Sequence, residues 1–321
     1  MASEGDTDVQ YLGLLVPALI TLTAGLLIHS FIIGVNVTDW WKGRSVTPVD
    51  HVVTSLGISR MGAQSVNTLF LFMATLPLSS PDSYASLPII GSVYDFFTYA
   101  NFCLTSLLSI VFCLKISSSH TRLFLYLKGM IIHRTVYFIV DVVPLSALNS
   151  FILFMLSITD MNSSVTYNRT IANLSIDCIC IKYIYNYTAV ASFPLLFYCI
   201  SSVLLFSSLY QHTAKMKMSS NLSINLETYY SVMKFVSFTF IYNTVFFVGH
   251  FLGVFYYFFY CIDLTWLRIV LDFLPVLHSS YLIYRTAKLR SQMSKVLQNV
   301  VDFFFQRKDT ETGENIEVVA Q

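Results

Sequence analysis

Seven apolar runs, each long enough to cross a bilayer, limit what this chain can become. They fall at residues 11–37, 49–76, 88–116, 127–158, 187–211, 229–257 and 266–284. About 20 apolar residues in a helix cover the hydrocarbon thickness. Only helices and closed barrels satisfy the backbone there. The runs lack the short alternating pattern of barrel strands. The sequence therefore predicts an all-α membrane protein, a seven-transmembrane helix bundle. Composition agrees, with 55% hydrophobic and 12% charged residues, against roughly 25% charged in a soluble domain. Mean hydropathy is +0.64. A net charge of +1 gives no reason to expect a nucleic-acid partner.

Arg60 lies inside the second run, about a dozen residues from the loop that carries Lys42 and Arg44. A cation that deep costs from about 3 to more than 10 kcal/mol. Such a residue implies helices packed around it and a polar interior that supplies partners. It can serve as a structural polar plug or as a hub whose hydrogen bonds favour one packing of the bundle over another.

Orientation follows from the basic residues. With the N-terminus outside, the inner side holds Lys42, Arg44, Lys115, Arg122, Lys128, Arg134, Lys215, Lys217 and Lys234. It also holds Arg285, Lys288, Arg290, Lys295, Arg307 and Lys308. Only Arg169, Lys182 and Arg268 fall outside. Three N-glycosylation acceptors, Asn162, Asn168 and Asn173, cluster in the loop expected at about 159–186, which agrees with that side being extracellular. Asn186 begins a fourth pattern at the next span's edge, whereas Asn36 and Asn221 begin patterns on the inner side and are read as chance. Residues 1–10 form the extracellular N-terminus, 11–287 the receptor domain and 288–321 a cytoplasmic segment. The acidic start lacks the basic n-region of a cleaved signal, so the first span is expected to remain as an anchor.

Beyond the seventh run, Met293, Val296, Leu297, Val300, Val301 and Phe304 recur at helical spacing. This predicts an amphipathic helix on the inner leaflet, with membrane lipid as its partner. Asp309, Glu311, Glu314 and Glu317 then read as a disordered acidic tail. Cys103, Cys113 and Cys199 fall inside apolar runs and are expected to pack as small apolar side chains. Cys178, Cys180 and Cys261 fall on the outer side, where a bridge from either of the first two to the third is compatible with the compartment. No cysteine–histidine pattern has zinc spacing, and no cofactor or metal is expected. No HExxH, GxSxG, P-loop or paired intramembrane aspartates occur, so an enzyme is not expected.

Several outer-half residues are candidates for binding a small, largely apolar molecule. On span three these are Tyr94, Asp95, Thr98 and Tyr99, and on span six Asn243, Phe246, Phe247 and His250. Span seven adds Arg268 and Asp272, four residues apart and hence on one face; as a mutually satisfied pair they would need no ligand. On the inner side, Lys115, Tyr210, His212, Lys215, Lys288 and Arg290 are candidate contacts for an intracellular partner. Topogenic or headgroup-binding charge explains the basic ones equally well.

Seven spans and an inner amphipathic helix are the plan of a G-protein-coupled receptor. The signatures of the large rhodopsin-like class are missing: span three ends without Asp-Arg-Tyr and span seven without Asn-Pro-x-x-Tyr. What is present resembles the type 2 (bitter) taste receptors. The resemblance lies in Val35, Asn36, Asp39, Trp40, Lys42, Arg44, Val49, Asp50, Thr54, Leu56, Ile58, Ser59, Arg60 and Gly62. It continues through Leu114-Lys115-Ile116, Ser208-Leu209-Tyr210-Gln211-His212 with Lys215 and Met216, and His278-Ser279 with Leu282-Ile283 and Lys288-Leu289-Arg290. These stretches reach across most of the spans and concentrate on the inner half.

The resemblance implies a chemosensory receptor in the plasma membrane. It would take a small-molecule agonist from outside and activate a heterotrimeric G protein of the gustducin or inhibitory class. It also implies a switch built from Asn36, Arg60, His278 and Ser279, with Asn36 and Ser279 as partners of Arg60. The outer half departs from the family pattern. Tyr94 stands where a tryptophan is common, Thr98 where an asparagine is common, and His29 replaces an asparagine in span one. A divergent member is expected. The alternatives are a vomeronasal-type pheromone receptor, against which Asp39-Trp40 and Leu114-Lys115-Ile116 speak, and a small-molecule transporter, for which no internal repeat is visible.

Overall fold

The computed structural model describes residues 4–75, 83–116, 122–166, 172–218, 223–260 and 264–319. Among them are eight helices. These are α1 (Glu4–Trp41), α2 (Pro48–Thr75), α3 (Ser83–Ile116), α4 (Arg122–Thr166), α5 (Ala172–Met218), α6 (Ser223–Tyr260), α7 (Thr265–Arg285) and α8 (Ala287–Val319). The first seven coincide with the seven apolar runs. The chain divides into two compact units, Met1–His278 and Ser279–Gln321.

Six helices are apolar enough to cross a membrane on composition alone, and α2 is not among them. At 28 residues it reaches about 42 Å, and it packs against both α1 and α3. Its hydropathy is diluted by Ser59, Arg60, Gln64 and Asn67, all of which are buried. Polar side chains turned inward cost α2 nothing on its outer face, so it makes the seventh crossing.

In the first unit α3 is the axial element. It packs against α2, α4 and α5, and 72% of its most apolar window is buried, against 28% for α1, α4 and α6. Close approach is set by small residues. A Cβ at Gly62 would run into the Phe97 ring of α3, and one at Gly249 would run into Leu271 Cδ2 of α7. Local signals set the turn from α1 to α2. Gly43 takes a φ of +66°, a left-handed conformation that costs glycine little. Thr47 and Asp50 then cap α2 reciprocally: Thr47 N–H donates to Asp50 Oδ2 at 3.0 Å and Asp50 N–H to Thr47 Oγ1 at 3.3 Å. This is a capping box with Pro48 at the first helical position. Arg44 pairs with Asp39 across the turn at 2.9 Å.

Two expectations differ from what forms. The outer loop expected at 159–186 is largely helix, since α4 runs to Thr166 and α5 begins at Ala172. Hydropathy marks where lipid ends, whereas a helix continues while its backbone bonds have no better partner. Similarly α8 runs to Val319 through the tail expected to be disordered, a stretch containing glutamates, which are good helix formers. Within the second unit, Val296, Leu297, Val300, Val301 and Phe303 form an exposed apolar face on α8. That is the amphipathic pattern expected of it.

The α6–α7 contact gives a direct test. Gly249→Leu is expected to lose about 1–3 kcal/mol by overpacking, read as a lower melting temperature of the purified protein. Gly34→Leu, where nothing lies within 4 Å of an added Cβ, should melt as the parent does.

Candidate functional site

Arg60 is 1% exposed, and its guanidinium is held by three other helices. Nε donates to Asn101 Oδ1 on α3 at 3.3 Å, and Nη2 donates to the Tyr242 hydroxyl on α6 at 3.4 Å. Nη1 lies 3.1 Å from His278 Nδ1 on α7. A guanidinium can only donate, so His278 Nδ1 accepts and its ring proton sits on Nε2. The cation also stands 5.7 Å from the centroid of the Tyr242 ring, and that ring stacks on His278 at 4.5 Å. One side chain of α2 thus ties α3, α6 and α7 together.

Of the other residues expected in the switch, His278 meets Arg60 directly. Asn36, on α1, donates to Thr54 Oγ1 at 3.0 Å and to the Asp50 carbonyl at 3.4 Å. These groups lie six to ten residues before Arg60 on α2, or about 9–15 Å along the helix. Ser279 is buried and belongs to the second unit. Asn101 and Tyr242 were not anticipated, although each lies on a periodic stripe. Thr98, Asn101 and Thr105 recur at i+3 and i+4 on α3, and Tyr242, Phe246 and His250 at i+4 on α6. His29 on α1 is fully buried.

From this hub a column of rings leads toward the end of the bundle expected to face outward. Tyr242 stacks on Phe246 at 5.9 Å, and Phe246 meets His250 edge-on at 4.5 Å. Tyr94 on α3 lies 6.4 Å from His250. Phe102 fills the angle between them, 5.5 Å from both Phe246 and Phe247 and 5.7 Å from His250. Three of the candidate binding residues, Phe246, Phe247 and His250, therefore meet around Phe102, and Tyr94 reaches them through His250.

The other candidates have further partners, although Thr98, Arg268 and Asp272 also lie within electrostatic reach of Tyr94. Asp95, Thr98 and Tyr99 line a small cavity with Phe102, Asn149 and Leu153 of α4, and Val190 and Ala191 of α5. Asn243 is buried beside Phe102 and Phe247 in another cavity. Asp272 turns to α2, where its carboxylate accepts from Asn67 and its carbonyl accepts from Gln64 Nε2 at 2.8 Å. Arg268 lies 5.0 Å from the centroid of the Phe70 ring, also on α2. Their i+4 spacing was correct but carried no information about which neighbour they face.

On the side expected to be inner, Lys115 and Tyr210 are exposed near the ends of α3 and α5. Lys288 is half-buried and Arg290 exposed at the start of α8. The side chains of His212 and Lys215 lie outside the described residues, as do those of Asn162, Asn168, Asn173, Cys178, Cys180 and Cys261. Cys103, Cys113 and Cys199 are free thiols within the bundle.

The family model for "Taste receptor protein (TAS2R)" matches residues 7–301. The chain belongs to the type 2 taste receptor family. Taste receptor type 2 member 143 of Mus musculus is 29% identical over 60% of this chain and 66% of its own length. Taste receptor type 2 member 8 of Pan troglodytes is 27% identical over 85% and 91%, and that of Homo sapiens 26% over the same shares. The crystal structure of squid rhodopsin superposes with a TM-score of 0.60 at 14% identity, covering 92% of this chain and 87% of that one. That likeness shows the fold, a seven-transmembrane receptor bundle. Membership makes this taste receptor a multi-pass chemosensory membrane receptor and not an enzyme.

If His278 holds Arg60 as described, His278→Leu removes one acceptor from a buried cation. It should lower stability by about 2 kcal/mol, seen as a drop in melting temperature. His278→Gln, which keeps an acceptor, should recover part of the loss.

Proposed function

We propose that this taste receptor binds small, largely apolar, bitter-type agonists at the outer ends of α3, α5, α6 and α7. It then activates a heterotrimeric G protein of the gustducin or inhibitory class from its inner side. The receptor sits in the plasma membrane with its N-terminus outside and its C-terminus in the cytoplasm. The basic bias toward the expected inner loops supports that orientation. The acceptor asparagines Asn162, Asn168 and Asn173 are its glycosylation sites.

One observation carries the reading: an unbroken line of contacts from Tyr94 through His250, Phe246 and Tyr242 to Arg60 and His278. Close-packed interiors do not deform smoothly. An agonist that wedges against Tyr94 or His250 moves Phe246, and Phe246 moves Tyr242, whose hydroxyl is a partner of Arg60. The agonist need only bind one packing of the bundle better than the other to shift their populations. Arg60 and His278 are the core of the proposed switch, with Asn36 on α1 and Ser279 of the second unit as its further candidates. The candidate G-protein contacts are Lys115, Tyr210, His212 and Lys215 in the first unit and Lys288 and Arg290 in the second. Arg268 and Asp272, engaged with α2, contribute to the wall of the agonist site.

The test is a calcium assay in cells carrying a promiscuous G protein, screened with bitter compounds. A saturable response is expected. Phe246→Ala should raise the half-maximal concentration roughly tenfold, equivalent to about 1.4 kcal/mol. Arg60→Ala, if it reaches the surface, should abolish the response. Normal signalling from surface-expressed Arg60→Ala would refute the switch, and substrate flux without a G-protein response would refute the receptor.

A further inference from the structure

Three small cavities lie in series beside α3. The first, about 10 Å³, is bordered by Asp95, Thr98, Tyr99 and Asn149. The second, about 20 Å³, is bordered by Thr105, Ser106, Tyr198 and Asn243. The third, also about 20 Å³, is bordered by Thr105, Ser109, Tyr198, Ser202 and Thr239. A cavity of about 10–15 Å³ holds one water if that water finds two to four polar partners, and each of the three meets both conditions.

The residues bordering these cavities carry buried polar atoms with no hydrogen bond inside the protein, Asn149 Oδ1 at the first, Ser106 Oγ at the second and Thr239 Oγ1 at the third. Asn243, beside the second, also meets the Tyr198 hydroxyl. Asn149, Ser106 and Asn243 are 7%, 5% and 6% exposed. Buried polar groups in folded proteins are almost always hydrogen-bonded. Asn149 Oδ1 can only accept, whereas the hydroxyls of Ser106 and Thr239 both donate and accept. Water suits all three and fits volumes of about 10–20 Å³.

We infer that each cavity is a hydration site for one water, and that the three form a polar track along α3 from Asp95 to Ser109. These residues are 14 apart, or about 21 Å along the helix. The second and third waters share Thr105 and Tyr198, which border both cavities. Tyr198 donates to the Thr239 carbonyl at 3.0 Å, and Ser109 bonds Ser201 and Ser202 of α5 at 2.8 and 3.1 Å. The lower waters therefore close a hydrogen-bonded seam among α3, α5 and α6. Phe102 borders the first and second cavities and also packs on Phe246 and His250. Movement of that ring changes the wall of both.

X-ray radiolytic labelling of the full chain in lipid nanodiscs tests this, because hydroxyl radicals made from bound water oxidise the side chains beside it regardless of burial. Phe102 and Tyr198, 9% and 4% exposed, should oxidise at rates comparable with that of Tyr210, which is 62% exposed. Ser106→Val fills the second cavity and Thr239→Val removes a partner from the third. Each should cut Tyr198 labelling by about half, the double variant at least threefold, and all should leave Tyr210 unchanged. Unlabelled Phe102 and Tyr198 in the parent, or undiminished Tyr198 labelling in whichever variant folds, would overturn the inference. No agonist is needed, so the outcome is independent of the agonist site.

Discussion

A guanidinium buried at mid-membrane is the constraint on which the rest of this bundle depends. Left to lipid, Arg60 would cost from about 3 to more than 10 kcal/mol. Asn101, Tyr242 and His278 offset that cost by each giving the cation a partner. Those partners sit on three helices, so the charge is stable only when α2, α3, α6 and α7 are assembled. The same demand explains why α2, of these seven helices, is the one that composition alone does not mark as a crossing. Its polar face, from Ser59 to Asn67, is spent on its neighbours: Ser59 on the Phe97 carbonyl at 2.8 Å, and Gln64 and Asn67 on Asp272.

The aromatic column gives this hub a reach it would otherwise lack. Hydrogen bonds fix the position of Tyr242 at one end, while ring packing passes that position along α6 to His250 and across to Tyr94 on α3. An interior joined this way has few intermediate arrangements, since a ring displaced by a fraction of its width must displace the next. Beside it, small cavities along α3 are bordered by the polar side chains of Thr105, Ser106, Asn243 and Thr239. The bundle therefore combines an apolar line facing α6 with a polar one facing α5.

Hydropathy made the seven crossings legible because burial in lipid leaves a long, uniform signature. Arg60 was legible for the opposite reason: a cation breaking that signature had to be satisfied by neighbours. Their identity was less visible. Asn101 and Tyr242 are single polar marks on apolar helices, and spacing along one helix does not say which other helix lies opposite. Asn36 shows the same limit, since it also bonds Thr54 of α2, nearly two turns from Arg60. Arg268 and Asp272 shared a face as expected, yet that face meets α2. Helix ends beyond the membrane, at Thr166, Ala172 and Val319, left no mark in hydropathy, since nothing there forces apolar residues to stop where the helix does.

A double-mutant cycle between Arg60→Gln and Tyr242→Phe, read by thermal unfolding of the purified receptor, measures the clasp itself. Residues that share a hydrogen bond and a ring–cation contact should lose less stability together than the sum of their separate losses, by at least about 0.5 kcal/mol. Strictly additive losses would mean that the buried charge and the aromatic column do not communicate, and would contradict a switch that joins them.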